Sequence, residues 1–144
     1  MRPCLLDTAV FLYANGAPHR YRDPCRALIE MLQAGRIRGE ASVDLLQEYV
    51  HVRLRRHAGR EGVLAQAARI AQLCRLHDVE GRDIELMLDL LARHERLGAR
   101  DAVFAATALN RGIETIVTPD CDFDALPGLE RIDPADTARI DELS

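Results

Sequence analysis

Four carboxylates fall where four different structural elements would each deliver one acid: Asp7, Glu48, Asp101 and Asp120. Asp7 closes the apolar run Cys4-Leu5-Leu6, and Asp120 follows the apolar pair Ile116-Val117. Glu48 and Asp101 lie within or at the edge of apolar helical stripes, where a solvated acid does not belong. Burying such groups is costly unless they are paired or bound to a cation. An all-oxygen donor set suits a hard ion, Mg²⁺ or Mn²⁺, rather than zinc. Such an ion points to metal-assisted chemistry on phosphate esters.

The elements that must position these acids follow from periodicity and punctuation. Residues 2–6 read as a short buried strand, with a helix from Thr8 to Ala14 and a loop at Asn15-Gly16-Ala17-Pro18. A helix follows from about Arg22 to Ala34, stopped by Gly35. Residues 36–42 suit a second strand, and helices are expected over about 43–57 and 60–76. A third strand could lie near Val79. Two more helices, about 83–97 and 100–111, stop at Gly98 and Gly112. A strand over 114–118 ends at Pro119, and 129–132 reads as an edge strand before a polar tail over about 134–144. Strands alternating with helices imply a parallel sheet covered on both faces. Ligands of such sheets bind beyond the carboxyl ends of the strands, the rim that Asp7 and Asp120 would share. One domain over 1–144 is expected.

At 100° per residue, Phe104, Ala105, Ala108 and Leu109 flank Asp101 within one apolar arc. Leu45, Leu46, Tyr49, Val50 and Val52 form the arc of the 43–57 helix. Glu48 lies just outside its edge and Arg53 inside it. Each acid alone has a plainer reading. Asp7 and Asp101 could cap helices, Glu48 could be solvated, and Asp120-Cys121-Asp122-Phe123-Asp124 could be a polar turn. Chance convergence of all four on one rim is harder to sustain.

Composition narrows the chemistry. The 144 residues are 48% hydrophobic, enough for a folded core, with a formal net charge of −4. The 19 basic residues are all arginine. That removes lysine Schiff-base chemistry, Walker-type phosphate binding, haloacid-type phosphatases and phosphoacceptor receiver domains. The four cysteines include no Cys-x-x-Cys pair, which favours a reduced, cytoplasmic protein. The single Cys74-x-x-His77 step is too little for a zinc site. No secretory leader or membrane span is expected. The five histidines (19, 51, 57, 77, 94) read as solvated residues on polar faces or loops.

Four segments resemble PIN-domain ribonucleases, in order and across essentially the whole chain. They are Leu5-Leu6-Asp7-Thr8-Ala9-Val10-Phe11-Leu12-Tyr13-Ala14, Leu46-Gln47-Glu48-Tyr49, Arg100-Asp101-Ala102-Val103-Phe104-Ala105-Ala106-Thr107-Ala108, and the stretch from Thr115 through Thr118-Pro119-Asp120-Cys121-Asp122-Phe123 to Leu129. The compact length is similar to that of VapC toxins of type II toxin–antitoxin pairs. The resemblance implies a three-layer α/β/α PIN-like fold with a central, mostly parallel sheet of four to five short strands. It implies a Mg²⁺- or Mn²⁺-dependent endoribonuclease acting on tRNA or rRNA, a homodimer, and a cognate antitoxin that blocks the site. Asp7, Glu48, Asp101 and Asp120 match the family's catalytic, metal-ligating acids. Asp122 matches a fifth acid, and Thr8 a hydroxyl near the metal.

Hydrolysis with water as nucleophile leaves a 5′-phosphate and a 3′-hydroxyl and requires no histidine. Two arginine runs, Arg53/Arg55/Arg56/Arg60 and Arg93/Arg96/Arg100, could flank the acids and hold RNA phosphates. Arg100, Arg53 and Arg55 are the chosen candidates, with Arg100 foremost. Tyr13 and Tyr49 are the aromatics nearest the acids and read as core. The helices at 22–34 and 43–76 are candidates for partner contacts. The alternatives are a PIN-type nuclease of RNA processing or structured DNA, or a non-catalytic interaction module.

Overall fold

The computed structural model describes residues 1–144. The order is β1 (Pro3–Leu6), α1 (Thr8–Ala14), α2 (Arg22–Gln33), β2 (Arg38–Ser42), α3 (Val43–Arg55), α4 (Arg60–Leu73), β3 (Arg75–His77), α5 (Gly81–Arg93), α6 (Ala99–Asn110), β4 (Thr115–Val117), β5 (Glu130–Ile132) and α7 (Thr137–Asp141). A 3₁₀ turn, Cys121–Ala125, precedes β5. The five strands form one sheet in the order β3-β2-β1-β4-β5, and every neighbouring pair is parallel. Helices flank the sheet, giving the three-layer α/β/α arrangement expected.

The central strands β1 and β4 are apolar runs enclosed by helices, whereas the outer strands β3 and β5 are partly exposed and carry charge. Cys4, Leu5, Leu6, Ile116 and Val117 are almost fully buried. β1 lies between β2 and β4, with Leu5 opposite Ile116 and Leu6 opposite Val117. The chains leaving β1 and β4 therefore emerge side by side at one rim. The Asp7 N–H donates to the Val117 carbonyl at 3.2 Å, extending the pairing to the site itself. In β2, a Cβ on Gly39 would meet Leu32 of α2 at 2.5 Å and Leu6 at 3.0 Å, so glycine is what lets α2 close over the sheet.

Helix α6 is more enclosed than a single apolar arc suggested. Every residue from Ala102 to Ala108 is buried. Its small side chains let neighbouring elements approach on all sides, which makes it the central helix rather than a half-solvated one. Gly112, at φ 68°, ends it in the left-handed conformation that glycine adopts without penalty.

Three bounds are corrected, the first being the helix expected over about 83–97, which ends at Arg93. The fourth helix stops at Leu73, not near 76, and the third strand is Arg75–His77 rather than a segment around Val79. Cys74 is already extended, and strand pairing of Glu40, Ala41 and Ser42 with Arg75, Leu76 and His77 overrides helical propensity. The polar stretch 134–144 follows β5. It holds α7, and Ile140 and Leu143 insert into the core.

The ends of α5 and α6 are clamped by a buried ion pair. Arg111 Nη1 donates to Asp83 Oδ1 at 2.8 Å and its Nη2 to Asp83 Oδ2 at 3.0 Å. Asn110 and the Glu80 N–H donate to the same carboxylate. Burial alone would raise the Asp83 pKa, but these hydrogen bonds outweigh it and hold the carboxyl at about 2. Asp83→Asn should therefore cost about 3 kcal/mol of stability, because Arg111 loses its counter-charge. Urea denaturation at neutral pH measures this.

Candidate metal centre

Asp7 takes the N-cap position of α1 with extended backbone, yet its side chain makes no cap bond. It is buried and accepts a hydrogen bond from Thr118 Oγ1 at 2.7 Å. The same Thr118 oxygen accepts from the Asp120 N–H at 3.1 Å. Asp120 Oδ1 in turn accepts from the Asp122 N–H at 2.9 Å. One hydroxyl thus joins the end of β1 to the turn after β4. Arg131 braces this turn from behind, donating to the Thr118 carbonyl and to Asp124.

Glu48 arrives from α3, whose start is fixed by Ser42 accepting from the Asp44 N–H. Thr8 Oγ1 donates to Glu48 Oε2 at 2.8 Å. Thr8 therefore positions the glutamate, a role that its proximity to Asp7 did not specify. Asp101 comes from the first turn of α6, whose N-cap residue is Gly98.

Electrostatics joins the four acids into one site. Burial, followed by the charges of Asp7, Asp120 and Glu48 and contact with the Asp120 carboxyl, raises the Asp101 pKa to about 7. Burial raises Asp7 to about 6, against the lowering effect of the Thr118 hydrogen bond and with a further push from the Glu48 charge. A carboxylate serving as a helix cap would shift downward. The opposite shifts come first from burial, with the charges of neighbouring acids adding to it. Asp120, Cys121 and Asp122 also offer ligand atoms all within 4.8 Å of one another. The exposed Cys121 thiol is a soft donor, so a hard cation would draw on the carboxylates instead. The donor set fits such an ion: desolvated oxygens, mutually repelling, and bonded by neighbours that fix their direction.

The arginine candidates separate. Arg100 is exposed beside Asp101 and, with Leu46, Gln47, Val50 and His51, lines a cavity of about 700 Å³. Arg55 is exposed at the end of α3. Arg53 is half-buried beside Tyr49, and its Nε has no hydrogen-bond partner. Tyr49 is core as expected, its hydroxyl linking Asn15 to Gln66.

Two residues depart from their expected surroundings. Tyr13 faces a cavity of about 450 Å³ that Asp7 and Asp120 also line. His77 is not solvated: its Nε2 lies 2.7 Å from Oε1 of buried Glu40, away from the acid rim. Thr118 is the site residue that sequence reasoning passed over. Its signal was the Thr-Pro-Asp step after a strand, which was read only for its acid.

The PIN domain family pattern matches residues 4–129. The chain belongs to the PIN-domain family. Among its relatives, Ribonuclease VapC7 of Mycobacterium tuberculosis is 33% identical over 132 residues, covering 90% of each chain. Ribonuclease VapC23 of the same species is 35% identical over 120 residues, 80% of this chain and 90% of the relative. The fold is similar to that of M. tuberculosis VapC20, described as a sarcin–ricin loop cleaving toxin, with a TM-score of 0.70 and 22% identity over 85% of this chain and 93% of that one. It is also similar to VapBC2 of Rickettsia felis bound to a promoter DNA fragment, with a TM-score of 0.68 and 18% identity over 91% and 98%. Within the PIN family the chain is thus VapC-like.

The raised pKa values of this PIN domain carry a stability consequence. Between about pH 4 and pH 7 the folded protein holds protons that the unfolded chain releases. Stability without metal therefore falls as pH rises through this window. Asp101→Asn should raise the Tm of chelator-treated protein by roughly 3 °C or more at pH 8 and by less than half as much at pH 5. Calorimetry at the two pH values checks this.

Proposed function

We infer that this protein is a metal-dependent endoribonuclease, the toxin of a toxin–antitoxin pair, whose active centre is Asp7, Glu48, Asp101 and Asp120 with Asp122 as an outer acid. The observation that carries this reading is the buried Asp7 at the carboxyl rim of β1 and β4, with the half-buried Glu48, Asp101 and Asp120 close enough for their charges to act on it or on one another. Relatives named ribonuclease at 33–35% identity support RNA as the substrate. Mg²⁺ or Mn²⁺ is the matching ion, and when bound it supplies Lewis-acid stabilisation of phosphate charge and lowers the pKa of water.

The protein's own residues do the positioning. Asp7, Asp101 and Asp120 would hold the ion, with Glu48 oriented by Thr8. Thr118 keeps Asp7 and Asp120 in register with each other. Arg100 stands at the rim, where its fork of donors suits a phosphate. Asp122 is drawn in through its N–H bond to Asp120. Because the unbound acids repel phosphate, RNA affinity depends on the ion. No helix is long and apolar enough to cross a membrane. The solved VapBC relatives support a cognate antitoxin as the physiological partner, and a homodimer is the proposed assembly.

The decisive experiment incubates purified protein with total cellular tRNA and rRNA, in Mn²⁺, in Mg²⁺ and in chelator, and maps the cut ends. Discrete cuts that need the ion and vanish in folded Asp7→Asn and Asp101→Asn variants are expected. Equal cutting by the variants would remove the acid centre from the mechanism. A folded wild type that binds the ion but cuts nothing would favour a non-catalytic module. Thr118→Val should lower Mn²⁺ affinity roughly 10- to 100-fold, as loss of a ligand-orienting partner does. Titration calorimetry reads that directly.

A further inference from the structure

Beside the acids, the loop between α1 and α2 gathers three aromatic rings and a guanidinium. His19 stacks on Tyr13 with ring centroids 4.5 Å apart and planes inclined by 25°. Tyr21 lies 5.5 Å from Tyr13 and 6.0 Å from His19. The Arg20 guanidinium carbon sits 4.9 Å from the centre of the Tyr21 ring. Phe and Tyr together are only 4% of the chain, and two of its three tyrosines meet His19 at this place.

The cluster is fixed in place before any ligand arrives. The Tyr21 N–H donates to His19 Nδ1 at 3.2 Å, which sets the imidazole's orientation. The Tyr21 hydroxyl donates to Asp133 at 2.7 Å. Asn15, at the start of the loop, donates to the Tyr49 hydroxyl in the core. Yet His19 and Arg20 are exposed, and they form one wall of the 450 Å³ cavity whose other wall carries Asp7 and Asp120. A purely structural aromatic cluster has no need to open onto the acid centre.

We propose that Tyr13, His19 and Tyr21, with Arg20, form a stacking subsite for one unpaired nucleobase next to the scissile phosphate. The proposal rests on the ribonuclease reading above and assigns the residues that would hold one base of its RNA. A base held in a duplex cannot present its face to protein rings, whereas a splayed loop base can. Stacking accepts any base, so the subsite selects unpaired structure more than sequence. Arg20 adds a donor for the adjoining phosphate, and the cavity volume lies within the roughly 300–1,000 Å³ usual for ligand sites.

The test uses full-length protein carrying His19→Ala, an exposed position, and His19→Phe, which keeps a ring. The substrate is an RNA hairpin with a cut site mapped from the total-RNA experiment in its loop. His19→Ala should raise KM on the order of ten-fold, with kcat little changed and Mn²⁺ affinity intact. His19→Phe should restore the wild-type KM. A 2-aminopurine placed beside the cut site should be quenched on binding to cleavage-deficient Asp101→Asn protein, and less so when His19→Ala is added. An abasic nucleotide there should bind the parent and His19→Ala equally weakly.

An unchanged KM in His19→Ala, or tight binding of the abasic RNA, overturns the subsite while leaving the nuclease reading intact. Loss of antitoxin binding in His19→Ala with unaltered RNA kinetics overturns it in favour of a protein contact. Absence of any metal-dependent cleavage by the wild type removes both readings together.

Discussion

Holding several carboxyl groups together beyond one edge of a sheet costs free energy, and much of this architecture exists to sustain that cost. Asp7 and Asp101 are pushed up to about 6 and 7 because water has been removed from around them and other acids brought close. Nothing in the acids themselves would keep them there. The opposing force comes from two threonine hydroxyls, from parallel pairing of β1 with β4, and from the enclosure of α6 on every side. The energy so stored is what a divalent cation can release on binding.

The two ends of α6 show a division of labour. Its first turn carries an acid with no compensating charge, Asp101. Beyond its last turn stands Arg111, fully matched by the buried Asp83. A satisfied ion pair at one end anchors the helix while the unsatisfied group at the other stays poised for a ligand. Removing the anchor and removing the unpaired acid therefore have opposite effects on stability.

Much of this was legible in the sequence. The strand-end acids could be placed because a short apolar run followed by Asp has one simple meaning in a parallel sheet. A 3.6-residue period put Asp101 on the packed face of its helix, whereas Glu48 fell just outside its arc and was singled out by the resemblance of Leu46-Gln47-Glu48-Tyr49 to PIN-domain segments. Periodicity failed where tertiary pairing decided the outcome. Residues 75–77 continue a helical pattern in sequence, but the open edge of β2 draws them into the sheet. In the polar C-terminal stretch the polar residues outnumber Ile140 and Leu143, and that count hid the two that dock. Thr118 had only the Thr-Pro-Asp step as a signal, and its bond to Asp7 on another segment is not legible there; His19 acts through the cavity it faces, which no local pattern encodes.

The sheet's borders bear on how other chains can approach. Both outer strands, β3 and β5, are only three residues long, and each carries arginine, Arg75 and Arg131. So brief and charged a border offers few free backbone groups for an incoming strand to zip onto. Association by strand addition is thereby discouraged, both for copies of the protein meeting by accident and for a designed peptide meant to extend the sheet. Recognition must instead be written in side chains, on helix surfaces and in the cavities beside the acids, where single substitutions can retune it without disturbing the strands beneath.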